Sequence, residues 1–169
     1  MNNIKRNIKI KIAFFKAGTT IFHKIVRYWS RSIYSHVEIV MPDNETWISI
    51  SPFIFKHVAA RIMTNIGECD WDFIELSVTN EELTALKDFI SETTGDGYDW
   101  VGMLLSQFLP VIIKSKGMWY CSSWVFFALL YAGILKSKNT RIYETPALSP
   151  GRLHELLTHD VAITLNKCS

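Results

Sequence analysis

Cysteine is scarce in this chain. Its 169 residues include three, Cys69, Cys121 and Cys168. The number is odd, the spacings are long and no CxxC pair occurs, which argues against a disulfide framework and against a zinc site. A reducing compartment is the default for such a set. Proline and glycine are also few, five and eight. No linker rich in them, no internal repeat and no low-complexity tract divides the sequence. One domain over residues 1–169, long enough to bury a real core, is the expectation. Blocks of like charge are missing too, and the net charge is only +2, so nucleic acid is not an expected partner. Lys5 and Arg6 stand near the N-terminus, but lysines interrupt the following IKIKIAFF where a signal peptide needs an unbroken apolar core. Standard export is not expected, and a cytoplasmic location follows. No motif asks for a metal ion or a cofactor.

What is present is a globular composition, 49% hydrophobic and 20% charged. Ile8, Ile10, Ile12 and Phe14 alternate with polar positions, which predicts a half-buried strand. Residues 19–29 carry a Thr cap and apolar residues at helical spacing. Residues 35–40 and 46–51, joined by the turn PDNE, read as a hairpin. Further strands are predicted at about 58–63 and 71–76. Thr79 and Glu82 form a capping-box pattern opening a helix to about residue 91, with Leu83, Leu86 and Ile90 on one face. Residues 95–97 (GDG) end it. Two apolar helices follow, at about 98–112 and 120–135, separated by a solvated turn around Lys114 and Lys116. Ser149 and Pro150 start another helix, and residues 161–165 form a last strand. Strands come mostly first and long helices later, which predicts an α+β fold.

Residues 118–135 hold 18 positions without a charge, the threshold length for a membrane span. Cys121, Ser122 and Ser123 make its first turn polar, and Tyr131 and Gly133 weaken its far end. The preceding apolar run contains Gln107 and Pro110 and is too short to span alone. A buried helix packed on a sheet is the better reading; a membrane hairpin is the rival.

Cys121 stands in the first turn of that helix. A helix N-terminus favours the thiolate, the nucleophilic form of cysteine, and its unpaired N–H groups suit an oxyanion. The bland alternative is a small buried residue, a common fate of free cysteine. A nucleophile needs a base, and five histidines compete. His23 and His154 sit on predicted helices with charged neighbours, His159 lies in a turn, and His57 has no clear pattern. His36 begins a strand that puts His36, Glu38 and Val40 on one face and Val37 and Ile39 on the other. Opposed residues of an antiparallel pair point to the same side. Matching Val37 and Ile39 with Ile48 and Ile50 places His36 on the face of Ser49 and Ser51. Ser49, Ser51 and Glu38 are the candidates to orient the imidazole.

The order of these motifs, SHVEIV at 35–40 and then WYCSSW at 119–124, resembles the circularly permuted NlpC-like branch of the papain-fold cysteine hydrolases. That branch includes YiiX-type amidases and the lecithin retinol acyltransferase group. The resemblance runs from about Tyr34 to Leu153 and takes in YDW at 98–100 and SPGRL at 149–153. It implies a papain-like antiparallel sheet packed against helices, with the nucleophile at a helix N-terminus. It implies Cys121 as nucleophile, His36 as general base and a third polar residue one hairpin on. Relatives usually carry His, Glu, Asn or Gln there, whereas this chain has Ser49, with Ser51 next. Tyr120 is a candidate for the oxyanion pocket and equally a packing aromatic. By family analogy the substrate is a peptide of peptidoglycan type, with an acyl lipid as the alternative and a non-catalytic binding module as a third. A bacterial or viral source goes with the family.

Overall fold

The computed structural model describes residues 8–52, 54–64, 67–99, 103, 117–135, 148–160 and 165–166. The expected helix at 98–112 and turn at 114–116 lie largely outside them, as do Cys168 and most of the strand at 161–165. The described elements are β1 (Ile8–Phe15), α1 (Ile21–Ser30), β2 (His36–Val40), β3 (Thr46–Ser51), β4 (Phe55–Ile62) and β5 (Trp71–Val78). They continue with α2 (Asn80–Thr93), β6 (Gly97–Tyr98), β7 (Met118–Trp119), α3 (Cys121–Tyr131), α4 (Pro150–Asp160) and β8 (Leu165–Asn166). A short 3₁₀ turn precedes β5. The α+β class holds.

The strands form one sheet in the order β7-β6-β4-β3-β2-β1-β5-β8. Its neighbours are antiparallel except β6 and β7, which pair in parallel through Gly97↔Met118 and Tyr98↔Trp119. The sheet is therefore mixed, where an antiparallel one is expected. The difference lies in β6 and β7, two-residue strands that run in the same direction. Tyr98 accordingly lies in a strand and not at the head of a helix.

One face of the sheet carries the main core. Ile10, Ile12, Phe14, Val37, Ile39, Ile48, Ile50 and Ile74 are buried there against Trp124, Val125 and Leu129 of α3. The opposite face holds a smaller cluster of Ala13, Val40, Trp47 and Trp71. β2 lies near the centre, so all five of its residues are buried. Alternation alone suggests a half-buried strand; a central position buries both faces.

α3 is apolar on all sides and nearly all buried, as a helix enclosed by other elements must be. It packs on β2, β3, α2 and α4. Its 11 residues fall well short of the roughly 20 needed to cross a bilayer, and no helix among the described residues is long and apolar enough to do so. Trp124 anchors it, donating from Nε1 to Thr93 Oγ1 at 3.0 Å. At the head of α2 the capping box is formed: Glu82 N donates to Thr79 Oγ1, and Thr79 N donates to Glu82.

Candidate functional site

The site starts from the i, i+2 spacing of β2. His36 and Glu38 point to one face because strand side chains alternate. His36 Nε2 lies 3.1 Å from Glu38 Oε1. Glu38 is 1% exposed, and a buried carboxylate needs partners. Arg61 supplies them from β4: its Nη2 donates to Glu38 Oε1 at 2.6 Å and its Nε to Oε2 at 3.3 Å. Register explains the reach. Trp47 of β3 pairs with Val40 on one side and with Arg61 on the other, so Arg61 stands on the face of β2 that holds Glu38. Burial alone would raise the Glu38 pKa. The hydrogen bond and charge of His36, then those of Arg61, outweigh it and hold the carboxyl below its ordinary range.

Cys121 is the first residue of α3, 7% exposed and not in a disulfide. The residues around it fix that turn. Ser123 Oγ accepts from Tyr120 N at 3.2 Å and donates to Tyr120 O at 2.8 Å. Ser122 Oγ donates to Leu148 O, tying the turn to the residues before α4. The two serines after the cysteine are thus structural clasps. The first three N–H groups of an α-helix have no intrahelical acceptor, and here they belong to Cys121, Ser122 and Ser123.

His36 and Cys121 line the same cleft, where the sulfur acts on the imidazole. Burial pulls the imidazole pKa down; the charge and hydrogen bond of Cys121, then those of Glu38, push it up to about 10. The ring is held as the imidazolium at neutral pH.

The other sequence candidates fall around this pair. Ser49 and Ser51 are buried on the His36 face, and Ser51 Oγ accepts the Ile54 N–H at 3.4 Å. Tyr120 caps α3 and lines the cleft at Cys121. Among the remaining histidines, His57 and His159 are exposed. His23 is half-buried, with Nδ1 2.9 Å from Ser35 Oγ, and burial followed by the charge of His36 lowers its pKa. His154 is half-buried beside Tyr34, 3.3 Å from its hydroxyl. Both sit on helices whose charged neighbours suggest a surface position, yet each ring faces the sheet.

Sequence reasoning misses two residues. Arg61 is one; the signal that finds it is the β3–β4 register. Tyr98 is the other, buried in the wall of the cleft beside Cys121. Burial first, then the charges of Cys121, Tyr120 and Asp99, raise its phenol pKa well above the ordinary value, so it stays a donor. Its hydroxyl donates to Met103 Sδ at 3.0 Å.

His36 borders two spaces. One is the narrow cleft over Cys121, walled by Phe22, Val26 and Trp29 of α1 together with Met103. The other is a cavity of about 270 Å³ containing Glu38, Arg61 and Ser51, with Phe15 and Trp71 as aromatic walls. Among the described residues no group of His, Cys, Asp and Glu side chains is arranged to hold a metal ion. Compared with protein-family models, with curated proteins and with solved structures, the chain has no match.

Proposed function

We propose that this protein is a papain-like cysteine hydrolase acting on an amide or ester, with Cys121 as nucleophile, His36 as general acid and base, and Glu38 as the group that orients His36. The observation that carries the reading is the hydrogen-bonded chain His36–Glu38–Arg61, with His36 in the cleft that holds Cys121 at a helix N-terminus. Nucleophile and base brought to one cleft, with a carboxylate orienting the base, is the arrangement nucleophilic catalysis needs. The site favours Glu38 over Ser49 and Ser51 as the third member, because the carboxylate already holds Nε2 and carries the charge an imidazolium requires.

The Cys121 sulfur attacks the carbonyl carbon of the substrate as His36 takes up the thiol proton. The oxyanion that forms is met by the N–H groups of the first turn of α3 and by the Tyr98 hydroxyl, which turns to it from Met103 Sδ. The carbon–nitrogen or carbon–oxygen bond breaks as His36 gives its proton to the leaving group, and a thioester on Cys121 remains. Water then attacks the thioester with His36 as base, releasing the acid and restoring the thiol. Glu38 stays ionised throughout, balanced by Arg61.

An acyl chain is favoured over a polar peptide by one observation: Phe22, Val26, Trp29 and Met103 give the cleft over Cys121 a largely apolar wall.

Labelling with iodoacetamide tests the proposal. Cys121 is expected to alkylate at neutral pH despite its burial and faster than the exposed Cys69. In His36→Ala its rate should fall at least about 10²-fold, the usual scale of a general base. Equal rates at Cys121 and Cys69, with no effect of His36→Ala, would refute it.

A further inference from the structure

α1 has an apolar arc wider than the site it covers. Phe22, Val26 and Trp29 form one row (i, i+4, i+7) and line the cleft at Cys121. Ile21, Ile25 and Tyr28 form the adjacent row and face solvent, with Ile21 77% and Tyr28 82% exposed. Ile33, just beyond the helix, is exposed as well. Of nine exposed large hydrophobic side chains among the described residues, five (Ile21, Ile25, Tyr28, Trp29 and Ile33) lie in this one segment. Scattered exposed apolar residues need no explanation, but a row of them on one helix does.

The charge of the segment that carries the row has one sign. No acidic residue precedes Glu38 in the sequence, while eight lysines and arginines do. Lys24 and Arg31 are exposed and flank Tyr28 on its polar side. Arg27 turns inward, donating to the carbonyls of Lys16 and Gly18, and so fastens the helix to the loop before it. Isoleucine and tyrosine in a row, with Trp29 partly exposed beside them and cations on the same helix, is the pattern of a helix lying in the headgroup region of a bilayer. The cations suit anionic headgroups and the apolar row suits the acyl boundary beneath them.

We propose that the outer face of α1 docks on an anionic lipid surface. The docking rests on α1 alone and holds whether or not Cys121 is a nucleophile. It sets the cleft, walled by the other row of the same helix, next to the membrane.

Co-sedimentation of the full chain with vesicles tests it, using phosphatidylcholine alone and phosphatidylcholine mixed with phosphatidylglycerol. The wild type should pellet with the anionic vesicles, and high salt should weaken this. Ile21→Asp with Tyr28→Ala should reduce the partition coefficient about tenfold or more, by the apolar area removed. An acid at the first helical position suits the helix dipole, so α1 itself is spared. Lys24→Gln with Arg31→Asn, which keeps the apolar row and suits the left-handed backbone at 31, should reduce it by about 30-fold at low salt, as two surface cations predict. Equal pelleting with both vesicle types, no pelleting, or variants that pellet like the wild type would overturn the proposal. A vesicle-free dimer on gel filtration that Ile21→Asp with Tyr28→Ala splits would overturn it in favour of a second copy of the chain on this face.

Discussion

Glu38 Oε1 lies 3.1 Å from His36 Nε2, two residues away on the same central strand. The spacing costs the chain nothing in loop entropy, since β2 itself holds both groups at a fixed separation. It places an almost fully buried carboxylate behind a buried imidazole, and the pair is intelligible only with Arg61 as its counter-charge. Glu38→Gln should therefore slow alkylation of Cys121 by about 10- to 10²-fold at neutral pH, a share of what the base itself contributes. Arg61→Met should slow it less, because it leaves the bond to His36 in place. If Glu38→Gln alkylates as fast as the wild type, Glu38 has no part in orienting the ring.

The protonation of His36 gives a direct spectroscopic check. Its pKa is pushed up to about 10 because Cys121 and then Glu38 outweigh the effect of burial. Imidazole resonances followed by NMR should show the ring protonated from neutral pH to near that value. In Cys121→Ser the largest upward influence is gone while burial still acts downward, so the pKa should fall sharply. An unchanged titration in Cys121→Ser would mean that sulfur and ring do not interact.

Tyr98 is assigned to the oxyanion and not to the nucleophile, and the two roles separate experimentally. Tyr98→Phe removes one hydroxyl and keeps the buried ring of the core. Hydrolysis of an activated aryl ester should slow by about 10²-fold, the scale of one lost oxyanion donor. Alkylation by iodoacetamide, which forms no oxyanion, should be nearly unaffected. Equal losses in both assays would make Tyr98 a packing residue of the cleft.

The strands, α2 and the helix at Cys121 were legible because each carries a periodicity or a cap: Ile8 to Phe14 alternate, Thr79 and Glu82 close a box, and an apolar run follows Cys121. The hairpin pattern was enough to put His36, Glu38, Ser49 and Ser51 on one face. The parallel pair β6–β7 was not legible, since two-residue strands have no period. Tyr98 was lost with it, read as the start of a helix. Arg61 was hidden because its importance depends on the register of β3 with β4, which no local pattern encodes. Nor did sequence spacing show which of Glu38 and the serines bonds the imidazole. The structure puts Glu38 there, with the two Arg61 nitrogens making a buried glutamate tenable.

The cluster of Glu38, His36 and Arg61 should govern stability in acid. The Glu38 pKa is depressed in the folded protein, where His36 and then Arg61 outweigh burial. In the unfolded chain it returns to about 4.5. A depressed folded pKa stabilises the fold fully above the unfolded value, and that stability drains away as pH falls through the folded one. The window lies below about pH 4.5, where the wild type should lose stability steeply. Glu38→Gln removes the titrating group, so its urea-unfolding free energy should fall less steeply across that range. At neutral pH the same variant leaves Arg61 and the His36 imidazolium without their buried counter-charge. It should there be less stable by about 3–5 kcal/mol, the usual cost of breaking a buried pair from one side. The two curves should therefore converge as pH falls. Parallel curves through the acid range would show that Glu38 is not the group whose protonation unlocks the sheet.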